Sequence, residues 1–289
     1  MNREFSARAY AKVNFGLRVL QGRDDGFHGI ESIFQTVDLY DELIVTTTAE
    51  KGCQVFCSSM QLPAKNTLTA AYEAFCEIAD RDVTGIQINL KKGIPSGGGL
   101  GGGSSDAAAL IRSLEKLYGT KLSYQQKDYI AAKTGSDVFF FMHCDDEGKG
   151  CALVSGRGEK VQQINPREEL FLVLIFPKVS SSTKEAYSLV DEAFAKGNTL
   201  ISPEFNELEL IYRKPTKNWT FINTFTPVIS EKYEEIRRAI EALRVMDCDY
   251  AEMSGSGSTV YGVFTSRQQA ETAVKKLAGT WNCKLARTV

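Results

Sequence analysis

The residues best suited to chemistry lie in one glycine-rich stretch. Residues 97–103 contain six glycines in seven positions, and Ser104, Ser105 and Asp106 follow directly. Glycine has no Cβ, so its backbone can approach a ligand closely and adopt positive φ. A helix that begins here adds unpaired N–H groups and the positive end of its dipole, which both attract an anion. The stretch therefore predicts a phosphate-binding loop.

Local patterns place this loop between a strand and a helix. Residues 86–90 alternate between apolar and polar side chains, which is typical of a strand. Apolar residues then recur at steps of three and four from Ala107 to Tyr118, which is typical of an amphipathic helix. A flexible linker is the plain alternative, but linkers seldom join a strand to so periodic a helix. A P-loop is excluded because Ser104, and not lysine, follows the last glycine.

Three further polar residues are candidates for binding or catalysis. Residues 5–19 alternate strictly and predict a strand with one buried face, from which Lys12 and Asn14 project in the same direction. The alternative interpretation of Lys12 is a solvated lysine at the edge of a sheet. Asp137 heads an apolar run, where it either caps a helix or turn, or is a catalytic carboxylate whose pKa is set by a lysine. A second glycine- and serine-rich segment, residues 254–258, links two predicted strands.

Length and composition narrow the class of protein. The 289 residues suffice for about two domains, and the polar, turn-prone residues 165–169 predict the boundary between them. A net charge of −2 argues against nucleic acid or an anionic membrane as partner. We expect no secretion signal, no membrane span and a cytoplasmic location. Seven cysteines without a C-x-x-C motif, and only two histidines, predict reduced packing thiols and no zinc site.

Helices and strands alternate irregularly along the chain, which predicts an α+β fold. Helices are expected after the capping residues Asn66, Ser123, Ser230 and Ser266, and another from about residue 183. Strands are expected at residues 5–19, 30–37, 42–48, 86–90, 170–176 and 281–285, in two segments of 151–164, and on both sides of 254–258.

Several motifs in a fixed order resemble one known family. They are Ala11–Asn14, Asp25–His28 with Phe34–Gln35, Pro95–Ser105, Thr134–Val138 and Met253–Ser258. Together they resemble the GHMP kinase superfamily, and within it most nearly the family of 4-diphosphocytidyl-2-C-methyl-D-erythritol kinases. The resemblance covers nearly the whole chain. It implies an N-terminal α+β domain over 1–165, a ferredoxin-like C-terminal domain over 166–289, and an active site in the cleft between them.

The resemblance also implies an activity and a set of site residues. ATP with Mg²⁺ would phosphorylate the 2-hydroxyl of 4-diphosphocytidyl-2-C-methyl-D-erythritol in the non-mevalonate isoprenoid pathway. Lys12 and Asp137 would form the catalytic pair. ATP would be held by Asn66, Pro95, Ser96, Gly97, Gly98, Gly99, Leu100, Gly101, Gly102, Gly103, Ser104 and Ser105. Substrate would be bound by Asn14, Phe27, His28 and Tyr187, and a closing phosphate loop formed by Ser254, Gly255, Ser256 and Gly257.

Two alternatives and two departures accompany this resemblance. The first alternative is another GHMP small-molecule kinase, of the mevalonate or homoserine type. The second is a catalytically silent relative that binds ligand and regulates a partner protein. Its partners are expected to be small molecules, with the protein a monomer or weak homodimer. Phe139 stands where the family usually has proline, and residues 144–151 are more acidic than the family pattern.

Overall fold

The computed structural model describes residues 3–22, 26–79, 83–197 and 202–289. The chain divides into two compact units, each discontinuous in sequence. The first unit comprises Met1–Ala11, Leu39–Ser96 and Gly101–Gly150. The second comprises Lys12–Asp38, Gly97–Leu100 and Cys151–Val289. The second unit thus includes residues on both sides of position 165, and the domain division predicted there stays a prediction.

Two long paired strands, β1 (Glu4–Gly22) and β2 (His28–Thr48), contribute to both units. The prediction of one buried face for β1 is wrong over residues 9–17, where both faces are buried. Within the second unit the ring of Phe15 packs against an aromatic cluster, whereas Lys12 and Asn14 face other polar groups of the same unit. Both faces of this part of β1 are covered by other residues, so the alternation of apolar and polar side chains does not indicate a solvent-facing side.

In its described residues, the first unit combines strands with four helices. Its elements are β3 (Cys53–Cys57), α1 (Thr67–Ile78), β4 (Gly85–Lys91), α2 (Gly102–Tyr118), α3 (Tyr124–Thr134) and α4 (Ser136–Met142). Strand β4 pairs antiparallel with Glu42–Thr48 of β2 and parallel with β3. Asn66 and Ser123 cap α1 and α3 as predicted, each in a capping box. Helix α2 begins at Gly102, so the end of the glycine stretch is already helical.

The second unit contains a hairpin and a separate antiparallel sheet. The hairpin is β5 (Cys151–Ser155) and β6 (Lys160–Gln163), and β5 pairs with Ser32–Gln35 of β2. The sheet contains β7 (Phe171–Ile175), β8 (Tyr250–Met253), β9 (Val260–Phe264) and β10 (Cys283–Arg287), in the order β10-β7-β9-β8. The helices described in the second unit are α5 (Thr183–Ala195), α6 (Phe205–Arg213), α7 (Phe225–Lys232), α8 (Glu234–Val245) and α9 (Arg267–Leu277), with a 3₁₀ turn at Thr216–Asn218. This β-α-β-β-α-β order confirms the predicted ferredoxin-like arrangement.

Two further differences from the sequence-based predictions concern β2 and α7. Strands expected at 30–37 and 42–48 are one continuous strand, β2. The carboxylates of Asp38 and Asp41 within it each accept a backbone N–H from elsewhere in their own unit. Ser230 does not begin a helix; it lies inside α7, and its hydroxyl donates to the Pro227 carbonyl. Helix α8 instead follows Tyr233. In the described part of the chain, no helix has the length and apolar character needed to cross a bilayer.

Candidate active site

The glycine stretch has the backbone geometry of an anion site. Gly97, Gly99 and Gly101 have φ of 69°, 74° and 70°, a region that side chains with a Cβ adopt only at a cost. Gly101 is the N-cap of α2 and has no side chain to satisfy the first N–H groups of that helix. The Ser105 hydroxyl is buried and has no hydrogen-bond partner among the described residues. The first N–H groups of α2 and the Ser105 hydroxyl, which all belong to the first unit, suit a bound phosphate.

In the second unit, residues 97–100 pack against the segment 254–258. The Ser254 hydroxyl donates to the Gly99 carbonyl over 3.0 Å, and the Thr259 N–H donates to the Gly98 carbonyl over 3.2 Å. A Cβ at Gly99 would lie only 2.0 Å from the Ser254 carbonyl oxygen. The structure therefore brings two glycine-rich segments, predicted separately from sequence, into backbone contact.

Lys12 lies beside this contact and is only 3% exposed, so it is not a solvated edge lysine. Its backbone N–H donates to the Leu100 carbonyl over 3.0 Å. Its ammonium donates to Asn14 Oδ1 over 2.6 Å and lies 4.6 Å from the centre of the Phe34 ring. The Asn14 amide donates in turn to the Ser32 hydroxyl over 3.1 Å. Sequence reasoning missed Ser32, which no local motif marks.

Asp137 lies in the first unit, in the first turn of α4, and is half-buried. Phe139 follows within the same short helix, and Val138 N–H donates to the Gly135 carbonyl over 3.0 Å. The substitution of Phe139 for the usual proline therefore leaves Asp137 at a helix start, where a carboxylate is favoured. Because Lys12 belongs to the second unit, its pairing with Asp137 stays a prediction.

Aromatic rings gather around His28 in the second unit. The His28 ring stacks on Tyr187 with centroids 4.9 Å apart and planes 21° apart, and Phe225 meets Tyr187 edge-on at 5.0 Å. His28 Nδ1 donates to the Leu20 carbonyl over 2.9 Å, and Nε2 lies 3.3 Å from Asp191 Oδ1. Sequence reasoning missed Phe225 and Asp191, which carry no local motif.

Phe27, the other predicted aromatic contact, is 54% exposed, and the Arg157 guanidinium lies 4.9 Å from the centre of its ring. The neighbouring Asp25 of the same motif lies outside the described residues.

Asn66 uses its side chain to cap α1. Its Oδ1 accepts from the N–H groups of Leu68 and Thr69 at 3.0 and 3.2 Å. The start of α1 lies close to the start of α2 in the first unit, because a Cβ at Gly103 would lie 3.2 Å from Thr67 Oγ1. The residue predicted to contact adenosine is thus near the glycine stretch, although its amide oxygen already accepts two hydrogen bonds.

Comparisons with known proteins identify the family. The model described as GHMP kinases N terminal domain matches residues 66–145, and that described as GHMP kinases C terminal matches residues 203–283. The 4-diphosphocytidyl-2-C-methyl-D-erythritol kinase of Treponema pallidum (strain Nichols) is 35% identical over 283 residues, covering 96% of this chain and 95% of that protein. The protein of the same name from Pseudothermotoga lettingae is 38% identical, covering 89% and 90%. The chain belongs to the GHMP kinase family.

Solved structures agree with this GHMP kinase over nearly its full length. A crystal structure of 4-(cytidine 5'-diphospho)-2C-methyl-D-erythritol kinase matches with a TM-score of 0.78 and 27% identity, covering 98% of this chain and 99% of that one. A homoserine kinase from Cytophaga hutchinsonii matches with a TM-score of 0.70 at 19% identity, covering 99% and 94%. The latter shows the shared fold alone. The predicted two-domain GHMP kinase fold is confirmed.

The acidic segment of this GHMP kinase has a structural explanation in the first unit. Asp145 Oδ1 accepts from the N–H groups of Glu147 and Lys149, which closes a tight turn. The turn lies against Arg112, whose Nη1 donates to the Phe141 carbonyl over 2.9 Å. Burial lowers the pKa of Arg112, and the nearby acidic groups oppose that shift. The segment thus supplies negative charge around a buried guanidinium.

Sequence reasoning also missed a buried ionic cluster in the first unit. It consists of Asp41 on β2, Lys92 after β4 and Asp106 on α2, and Lys92 Nζ forms ion pairs with both carboxylates. Burial and the charge of Asp41 raise the pKa of Asp106. Burial by itself lowers the pKa of Lys92, but the two carboxylates outweigh it and the pKa is raised. No local pattern links these positions.

Proposed function

We propose that this GHMP kinase transfers the γ-phosphoryl group of ATP to the 2-hydroxyl of 4-diphosphocytidyl-2-C-methyl-D-erythritol, in the non-mevalonate route to isoprenoid precursors. The observation that carries the proposal is the bond from the Lys12 N–H to the Leu100 carbonyl. It places a buried ammonium next to a glycine stretch with alternating positive φ. Phosphoryl transfer depends on such positioning and on neutralising negative charge.

Each group in the proposed site has a role that its chemistry supports. The N–H groups of residues 97–103 bind the ATP phosphates, and the segment Ser254–Gly257 closes over them. Asp137 accepts the proton of the attacking hydroxyl, and Lys12 keeps that carboxylate ionised and stabilises the developing charge. Asn66 contacts adenosine, and Asn14, which accepts a hydrogen bond from the Lys12 ammonium, binds the acceptor substrate.

Mg²⁺ is part of this proposal. It would neutralise triphosphate charge when bound, and Mg²⁺ commonly binds through substrate phosphates with few protein ligands. The buried Ser105 hydroxyl, which has no hydrogen-bond partner among the described residues, fits a site where phosphate oxygens and their cation supply the missing contacts.

The aromatic cluster supports a pyrimidine-bearing acceptor. The stacked pair His28 and Tyr187 offers ring faces, and the exposed Phe27 offers another. Stacking on such rings is worth about 1–3 kcal/mol per base. The relatives' names identify a cytidine-diphosphate-linked acceptor for those proteins, and we extend that acceptor to this chain. We also infer a cytoplasmic enzyme that acts as a monomer or weak homodimer.

A panel of acceptors tests the proposed reaction. ATP turnover is measured with 4-diphosphocytidyl-2-C-methyl-D-erythritol, with mevalonate, with homoserine and without acceptor. We expect stimulation by the cytidylyl compound alone. If mevalonate or homoserine stimulates ATP turnover, that compound and not the cytidylyl compound is the substrate. If no acceptor raises ATP turnover, the proposed function is wrong.

Replacement of Asp137 tests the proposed mechanism. Asp137→Asn keeps the side-chain volume but removes the proton acceptor, so single-turnover transfer should slow by about 10²–10⁴-fold. Lys12→Met should also lose activity, and the double variant should be little worse than the worse single one. Near-normal transfer by Asp137→Asn, with ligand binding intact by calorimetry, would remove Asp137 from the mechanism.

A further inference from the structure

The buried cluster of Asp41, Lys92 and Asp106, here termed the loop anchor, has no role in the proposed mechanism. The side chains of Asp41, Lys92 and Asp106 are 0%, 11% and 4% exposed. Two carboxylates share one ammonium, and Asp106 Oδ1 has no hydrogen-bond partner among the described residues. Such a group is costly to bury, and apolar residues of similar volume usually stabilise a fold as well or better. A contribution to stability does not explain why these three groups are buried together, but the position of the loop anchor in the chain does.

The loop anchor holds the segment that enters the glycine stretch. Asp41 Oδ1 accepts from the N–H groups of Gly93 and Ile94 at 2.6 and 2.8 Å. Asp41 Oδ2 accepts from the Lys92 ammonium. The backbone fits tightly here, because a Cβ at Gly93 would lie 2.3 Å from the Tyr40 carbonyl oxygen. One carboxylate on β2 therefore binds three successive residues directly before Pro95.

The same cluster also holds the segment that leaves the glycine stretch. Lys92 Nζ donates to Asp106 Oδ2 over 3.0 Å, and Asp106 lies one turn into α2. A Cβ at Gly102, the first residue of α2, would lie 3.4 Å from Lys92 Nζ. Lys92 thus links the residues before the glycines to the helix after them.

We propose that Asp41, Lys92 and Asp106 are positioning residues, which fix both ends of the stretch 95–105 so that its N–H groups are preorganised for the ATP phosphates. Glycine loses more conformational freedom on ordering than any other residue, so a stretch with six glycines needs fixed ends to hold one shape. The inference rests on the proposed ATP site, but the loop anchor itself touches no substrate in this scheme. Misplacing a binding loop by about 1 Å can cost on the order of 10²-fold in rate.

Variants of Asp41 separate positioning from a general effect on stability. Asp41→Ala removes the acceptor for Gly93 and Ile94, whereas Asp41→Asn keeps an oxygen that can accept those N–H groups. We expect Asp41→Ala to raise the KM for ATP about tenfold or more with less change in the KM for the acceptor, and Asp41→Asn to restore much of the loss. Lys133→Met is the matched control, because it removes an ion pair with Glu77 on the exposed surface of the same unit.

Hydrogen exchange of the ligand-free protein tests the inference independently of catalysis. We expect amides of residues 95–105 to exchange faster in Asp41→Ala and in Asp106→Asn, while amides of α3 keep their wild-type rates. Unchanged exchange in 95–105 together with an ATP KM within twofold of wild type would overturn the positioning role. So would uniform acceleration across the first unit, which indicates general destabilisation. If wild-type protein binds no ATP, the proposed function fails, while the exchange data still decide whether the loop anchor orders the stretch.

Discussion

The two glycine-rich segments of this protein are held by different chemistry. The stretch 95–105 is flanked by the loop anchor, whose three groups are ionisable and buried. The segment 254–258 is fixed by a neutral amide, Asn223, which is 1% exposed. Its Nδ2 donates to the carbonyls of Met253 and Gly255, both at 2.8 Å.

The difference follows from what each segment leaves unsatisfied. The stretch 95–105 leads into a helix, and the residues just before it, Gly93 and Ile94, present N–H donors that the Asp41 carboxylate accepts. The segment 254–258 is a strand-to-strand turn that presents carbonyl acceptors, which an amide N–H satisfies. Charged anchoring is stronger per bond but makes a segment sensitive to pH and to the loss of one partner. Anchoring by a neutral amide avoids the dependence on pH, and the loss of one partner costs less than it does in a buried ion pair.

The largest effect should come where the two segments touch. Gly99→Ala places a Cβ 2.0 Å from the Ser254 carbonyl at a residue with φ of 74°, so the two backbones must separate. We expect kcat/KM for ATP to fall on the order of 10²-fold or more. Gly97→Ala is the matched control, because its φ is 69° but no atom lies within 4 Å of its Cβ. Equal losses in both variants would mean that backbone strain, and not contact between the segments, causes the effect.

Among the effects on stability, the loss of the ammonium in the loop anchor should be the largest. Lys92→Met leaves Asp41 and Asp106 buried without their shared partner. Breaking a buried ion pair in this way costs about 3–5 kcal/mol of the free energy of unfolding. Denaturant titration measures the change, and Lys133→Met again serves as the exposed control. A cost below about 1 kcal/mol would show that the buried carboxylates are neutral or solvated.

Loss of the Asn223 amide, the neutral anchor of the segment 254–258, should lower the free energy of unfolding by less than loss of the Lys92 ammonium does. Asn223→Ala leaves the carbonyls of Met253 and Gly255 without their amide donor. An unsatisfied buried group costs about 1–3 kcal/mol, and this cost should not depend on pH. The exposed Asn218→Ala is the control for losing an amide without burial. A cost that changes between pH 5 and pH 8 would remove the contrast between the two anchors.

A further effect should be a dependence of stability on pH that originates in Asp106. Because burial and Asp41 raise its folded pKa, the folded state holds a proton that the unfolded state has lost. Its contribution to stability is therefore fully present below the ordinary carboxyl pKa of about 4 and declines as the pH rises through the raised value. Asp106→Asn should flatten this decline relative to wild type in denaturant titrations at several pH values. An identical pH profile in both proteins would contradict the shift.

Most elements, and the candidate loops, were predictable from sequence because local chemistry specifies them. Asn66 and Ser123 cap helices through groups two to three residues away, and the alternation of residues 86–90 marks β4. The glycine stretch predicts its own conformation, because alternating positive φ is cheap only for glycine. Ser230 shows the limit of such patterns, since a serine before an apolar period also fits inside a helix.

Tertiary structure alone decided which distant residues meet. The pairing of Asp41 with Lys92 follows from the antiparallel pairing of β2 with β4, in which Glu42 lies opposite Lys91. The stacking of His28 on Tyr187, and the burial of Lys12 on a strand with both faces covered, likewise depend on how elements pack. Local sequence determines the periodicity of apolar residues, the helix caps and the conformational freedom of the backbone. The burial and charge environment of a side chain depend on residues far away in sequence, so only the folded chain determines them.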